Sequence, residues 1–171
     1  MKRTGYFPTR MLLVAVLLAA GCAAPFSEGI KSQVNESITL DQVAANQKAY
    51  QGTLVMWSGV ILSTLPREKG TVIEILERPY DSQKRPRDVD TTRGRFLARY
   101  NGFLDPAVFC QGRDITVAGR ISGSESAKIG EYAYTYPVVE LQEYRLWPVE
   151  MQRMYPAYPI YPFYDPWWWY Y

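Results

Sequence analysis

Residues 54–65 read LVMWSGVILSTL, with apolar side chains on both faces around Trp57, Val60 and Ile61 and a glycine, Gly59, in the middle. A branched, aromatic run of this kind suits a strand covered on both sides, and the internal glycine suits one that bends around a small barrel. Outward from it, the turn segment Pro66-Arg67-Glu68-Lys69-Gly70 leads to residues 71–77, where Ile73 and Ile75 alternate with Glu74, so the two runs form a hairpin. Residues 78–94 carry Arg78, Lys84, Arg85, Arg87 and Arg93 against Asp81, Asp88 and Asp90, with two prolines and almost no apolar side chains, and read as a long solvated loop. Residues 95–100 form a third strand, closed by the Asn101-Gly102 turn. Asp105-Pro106 looks like a helix cap with proline at the first helical position, and Gly112 supplies a stop, which predicts one to two helical turns around Val108 and Phe109. Residues 114–122 alternate, a glycine- and serine-rich turn is expected over 123–130, and 134–147 reads as the last strand.

Three strands, a short helix and two strands are the order of the OB-fold, a five-stranded partly open Greek-key barrel, although a six-stranded sandwich has similar periodicities. The expected class is therefore mainly β and OB-like, with a short helix between strands 3 and 4 and an extra helix ahead of the barrel. That extra helix is expected over 40–48, where Thr39 and Gln42 make a capping box and Ile38 and Val43 a hydrophobic staple. The domain spans 38–150.

Composition removes much chemistry. The chain of 171 residues has no histidine and only two cysteines, so Ser-His and Cys-His nucleophiles, an imidazole base and an ordinary zinc site are all excluded. The carboxylates make no convincing acid and base: Asp88 and Asp90 fall in the loop, and Glu74 and Glu77 on opposite faces of one strand. Asp88-Val89-Asp90 lacks the further oxygen ligands of a calcium loop. A noncatalytic protein without metal or cofactor is expected.

The N-terminus is more specific. Lys2, Arg3 and Arg10 precede an apolar run over 11–20, and small residues Ala19-Ala20-Gly21 lead directly into Cys22. The run spans roughly 15 Å as a helix, half a hydrocarbon core, which suits a secretory signal over 1–21. Leu18-Ala19-Ala20-Gly21-Cys22 resembles the lipobox of bacterial lipoproteins, which implies acylation of Cys22. Alanine at position 23, where aspartate resembles an inner-membrane retention signal, points to the outer membrane of a Gram-negative cell. Removing 1–21 takes away three basic residues and turns the formal +2 into −1, so there is no electrostatic case for nucleic acid. Residues 22–37, small and polar, read as a lipidated tether. Cys110 reads as a small buried hydrophobe.

At the other end, 151–171 is a proline- and aromatic-rich tail. Tyr155, Tyr158, Tyr161 and Tyr164 recur every third residue, as do Pro156, Pro159 and Pro162, a spacing that stacks tyrosines along one ridge of a polyproline II helix. Trp167, Trp168 and Trp169 follow. Such residues favour a wet, partly apolar partner, which leaves a membrane interface, a sugar stacked on the rings and another protein open, and docking at the headgroup layer as a second anchor is the hypothesis to test.

Seven pieces in order, among them Val55-Met56-Trp57-Ser58-Gly59-Val60-Ile61, Gly102-Phe103-Leu104-Asp105-Pro106, Gly112-Arg113-Asp114-Ile115-Thr116-Val117-Ala118-Gly119 and Leu146-Trp147-Pro148, resemble the Slp outer-membrane lipoproteins, a family named for induction in starvation. The resemblance implies a periplasm-facing envelope lipoprotein of stress or stationary phase, with no catalytic residues to carry over. Two functions follow as expectations. One is a noncatalytic contribution to envelope integrity through surface contacts with an envelope protein. The other is an OB-type binding module in which Trp57, Tyr100, Arg95, Arg113 and the 78–94 loop take an anionic envelope glycan, peptidoglycan or lipopolysaccharide. For Arg95, Arg113 and Arg120, pairing with Asp105, Asp114 or Glu140 is the structural alternative.

Overall fold

The structure, a computed structural model, describes residues 26–149; the signal segment, Cys22 and the aromatic tail lie outside the described residues. Five strands, β1 (Leu54–Arg67), β2 (Gly70–Glu77), β3 (Arg95–Tyr100), β4 (Asp114–Ile129) and β5 (Tyr132–Leu146), close into a ring in the order β1-β2-β3-β5-β4. β1 closes it by pairing antiparallel with both β2 and β4, and the contact between β3 and β5 is a short parallel one through Leu97, Ala98 and Arg99. This is the OB-like arrangement expected from the order of elements.

β1 is covered on both faces, as its composition requires. Val55, Trp57 and Ile61 point into the core with Ile73, Ile75, Phe96, Ile115 and Val117, while Leu54 and Met56 lie outside under a second cluster formed with Phe26, Ile30 and Ala118. The cover is α1 (Glu28–Gln33), capped by the Ser27 hydroxyl. Residues 22–37 are therefore not tether throughout. The polar composition hides a helix whose Ile30 is buried together with Phe26 just ahead of its cap, and Ser27 is fixed to β5 by two hydrogen bonds to the Glu143 carboxylate, at 2.9 and 2.5 Å.

α2 (Leu40–Ala45) begins at the expected capping box of Thr39 and Gln42. It ends earlier than 48: Asn46, at φ −147°, breaks it before the single turn α3 (Gln47–Tyr50). Leu40 and Val43 enter the core at the end of the ring where β3 starts, and Leu104 and Phe109 enter it at the end where β3 stops.

Two expectations are corrected. Residues 105–109 form turns and not a helix: the Asp105 carbonyl accepts from Val108 and Phe109, its side chain accepts from Ala107, and the Gly112 amide already bonds Ile61 of β1. So short a segment, pinned at both ends, gains too few helical hydrogen bonds to offset nucleation. The glycine- and serine-rich stretch 123–130 is largely strand, because Ser124 to Ile129 pair with Pro137 to Tyr132, and only Gly130, at φ +61°, and Glu131 make the turn. Partner residues Tyr134, Thr135 and Tyr136 supply the strand preference that 123–130 lack.

Candidate functional site

The 78–94 loop does not float in solvent. Tyr80 and Pro86 bridge within it, the Ser58 hydroxyl donates to the Arg78 carbonyl at 2.6 Å, and the Thr116 hydroxyl donates to the Lys84 carbonyl while accepting from the Trp147 indole N–H at 3.0 Å. Four of its five cations are spent on neighbours: Arg78 on Asp88, Lys84 on Glu36 at 2.7 Å, Arg85 on Asp114, and Arg93 on Glu77 and Asp41. The Tyr80 hydroxyl, half buried beside Glu36, is pushed up to about 12 by desolvation and then by that carboxylate's charge. Asp41 is held below the usual carboxylate range, first by the Thr39 hydroxyl and then by its own backbone amide. Between this loop and the end of β5 lies a cleft of about 650 Å³ lined by Arg78, Arg85, Arg113 and Trp147 with Asp81, Asp88 and Asp114. Its walls alternate in sign, so it offers an anion little net attraction.

A second surface lies on the outer face of β2, β3 and β5. Leu97, Tyr136 and Val138 form its floor with Val72, Ile129 and Tyr134 packed beside them. Two adjoining grooves of about 510 and 440 Å³ run over it between the β1–β2 and β4–β5 hairpins and share Arg67, Val72 and Arg99. Glu74 sits at one end, accepting from Arg95 at 2.9 Å, from the Tyr136 hydroxyl at 3.2 Å and from Ser63 at 3.4 Å. Burial, then the Glu74 charge, raises the Tyr136 hydroxyl, and the Glu74 hydrogen bond raises Arg95. Arg99 crosses the middle to Glu125 at 2.6 Å and Glu140 at 3.8 Å. Among the described residues, Arg67, Lys69 and Lys128 make no ion pair.

These surfaces separate the expected ligand residues. Trp57 is no ligand contact: it is 4% exposed, edge-on to Phe96, with its N–H donated to the Ile38 carbonyl. Arg95 and Tyr100 border the β2–β3 face, where Tyr100 lines one groove and packs edge-on against Tyr144. Arg113 is on the other side, donating to the Val108 and Trp147 carbonyls at 2.9 and 2.7 Å. None of Arg95, Arg113 and Arg120 takes the acidic partner expected of it; Arg120 donates to the Gly52 carbonyl. Cys110 is exposed and not buried, because Phe109 takes the one core position in that turn. Leu65, Arg67, Glu125 and Lys128 went unnoticed in the sequence, although Arg67 and Lys69 flank a hairpin turn where cationic side chains face out. Among the described residues no His, Cys, Asp and Glu cluster could hold a metal ion, and no helix is long and apolar enough to cross a membrane. Cys22 and the tail residues from Tyr155 to Trp169 lie outside the described residues.

Comparison with known proteins agrees with the resemblance. An uncharacterized lipoprotein of Escherichia coli, YeaY, is 32% identical over 152 residues, covering 88% of this chain and 76% of its own length. The outer membrane protein Slp of the same bacterium is 29% identical over 139 residues, covering 80% and 72%, and an uncharacterized protein of Haemophilus influenzae is 31% identical over 138 residues, covering 80% and 74%. The model of the outer membrane lipoprotein Slp family matches residues 19–171, and with nearly the whole chain matched the protein belongs to that family.

Proposed function

We propose that the protein is acylated at Cys22, held at the periplasmic face of the outer membrane, and acts there as a noncatalytic module that supports envelope integrity in stress or stationary phase. The observation behind the noncatalytic reading is the commitment of its carboxylates. Glu74 accepts from three donors, and the buried Glu77 accepts from the Arg93 amide at 2.8 Å and its guanidinium at 3.4 Å, so both serve the barrel and neither is poised to move a proton for a substrate. The family match, which takes in Cys22, supports the lipid anchor. Each acyl CH₂ contributes about 0.8 kcal/mol, and several chains together anchor durably. The tail of 151–171 then adds interfacial aromatics to the same attachment.

The test compares the full chain with Cys22→Ala in cells. The native chain is expected in the outer-membrane fraction with the mass of an acylated mature protein, and the variant in the periplasm; loss of the protein should raise detergent sensitivity of stationary-phase cells. Fractionation unchanged by Cys22→Ala sinks the anchor, and unchanged sensitivity sinks the envelope role.

The grooves over β2 and β3 favour a second reading, a binding module for an anionic envelope glycan. Their apolar floor and the cations Arg67, Lys69 and Lys128 suit a sugar ring carrying carboxylate or phosphate. Sedimentation of the Cys22→Ala chain with peptidoglycan saccules, and with lipopolysaccharide, tests it. Saturable binding weakened by Arg67→Glu supports this reading, and none at all ends it.

A further inference from the structure

We infer that the barrel lies against the lipid surface in one fixed orientation, with the 101–113 connection and the end of β5 facing the bilayer and the β4–β5 hairpin facing away. This rests on acylation of Cys22. Phe26 is 3% exposed and the Ser27 amide and hydroxyl are bonded to Glu143, so the chain between anchor and barrel is the link from Cys22 to Phe26. Four residues reach at most about 14 Å, less than half the thickness of a bilayer. A lipid in the membrane therefore holds Glu143 close to the headgroups.

What surrounds Glu143 fits that surface. The next residue, Tyr144, packs edge-on against Phe109 and Tyr100 at 5.4 and 5.9 Å between ring centroids. Thus the 101–113 connection, which closes this end of the ring, sits at the level of the anchor. It exposes Phe103 at 72% and Val108 at 47%, and Val149, beyond β5, is exposed at 71%. Arg113 ties the two segments together by donating to the carbonyls of both Val108 and Trp147. Val149 is the last described residue, and the aromatic stretch 155–171 follows it in the sequence. The anchor link and the bare side chains of Phe103, Val108 and Val149 thus share one end, and a lipid interface is the partner that accepts both, whereas the exposed side chain at the far turn is Tyr132, whose ring carries a polar hydroxyl. The turn of the β4–β5 hairpin, Gly130-Glu131, is about 40 Å from Glu143 along the strand at about 3.3 Å per residue.

Cys110 supplies the probe, since it is an exposed thiol within the 101–113 connection and the chain's other cysteine is the acylated one. The acylated full chain, its acylation verified by mass, is inserted in phosphatidylethanolamine–phosphatidylglycerol vesicles and labelled at Cys110 with an environment-sensitive fluorophore. A second protein carries Cys110→Ser and Glu131→Cys. Quenching by headgroup-attached spin label is expected to be several-fold stronger at 110 than at 131, and Phe103→Ser, an exposed position that leaves the core intact, should reduce it. Equal quenching at 110 and 131, or stronger quenching at 131, overturns the orientation. A mass without acyl chains overturns the lipid anchor instead, which keeps the two failures apart.

Discussion

Replacing Gly59 by alanine should cost about 2–5 kcal/mol, and the figure comes from where the new methyl would sit. An ideal Cβ at 59 lies 2.0 Å from the Leu76 carbonyl oxygen and 2.8 Å from the Ile75 Cγ2. A carbon and a carbonyl oxygen settle at about 3.3 Å or more, so β1 and β2 must part by more than an ångström. They cannot part freely, because Gly59 pairs with Glu77 on one side and Ile115 on the other. Overpacking contributes about 1–3 kcal/mol and one or two stretched ladder hydrogen bonds about 1 kcal/mol each. The measurement is urea unfolding of the Cys22→Ala chain followed by tryptophan fluorescence, comparing midpoints at equal slope. Gly123→Ala is the control: it too removes a strand glycine, but its nearest neighbour is the end of Gln47 at 3.5 Å, so it should stay within about 0.5 kcal/mol of the parent. Gly59→Ala matching Gly123→Ala would refute the claim that close approach of strands, and not turn geometry, fixes glycine at 59.

Thr116→Val strips a partner from both the Lys84 carbonyl and the Trp147 N–H; it should destabilise by about 2 kcal/mol and speed amide exchange in the 78–94 loop, and unchanged exchange there would show that the loop is held otherwise. Tyr80 keeps its proton in the folded chain up to about 12, whereas the unfolded phenol releases its proton near 10, so the stability this group confers is present below pH 10 and drains away as pH rises between the two values. Solvent screening at a half-exposed site limits the change to about 1 kcal/mol, and Tyr80→Phe should flatten the fall in urea midpoint over that window; an identical slope in both proteins removes Tyr80 as its source. The Cys110 thiol should react with a small disulfide reagent at a rate close to that of the unfolded chain, since it is exposed, and strong protection would place it back in the core.

The β1–β2 hairpin, the two-sided burial of β1 and the start of α2 were all legible in the sequence, because each follows from a local pattern: Ile73 and Ile75 alternating with Glu74, both faces of 54–65 apolar, Thr39 three residues before Gln42. What was not legible depends on partners distant in the chain. Ser27 and Glu143 are far apart in sequence, and only their contact makes 28–33 a docked helix. The strand over 124–129 owes its form to 132–137 across the ladder. Trp57 illustrates the same limit at the site: an indole in a barrel strand serves equally as a stacking platform or as core, and its position opposite Phe96, with its N–H on the Ile38 carbonyl, settles it as core.

Charge placement carries the same argument to function. Arginine density made 78–94 the natural place for an anionic ligand, yet density is not field. Arg78, Lys84, Arg85 and Arg93 each have a carboxylate within 4 Å, so an incoming anion would have to displace carboxylates already in place and would gain little net attraction. On the outer face of β2 and β3 the cations are fewer, but Arg67, Lys69 and Lys128 are without ion pairs among the described residues and stand around a floor of Leu97 and Tyr136. A charge-reversal series therefore distinguishes the two surfaces. Arg67→Glu with Lys128→Glu should abolish any binding of an anionic glycan to the Cys22→Ala chain, while Arg78→Glu in the loop should leave it unchanged. The opposite order would return the site to the loop, and the ion pairs there would then have to open on binding.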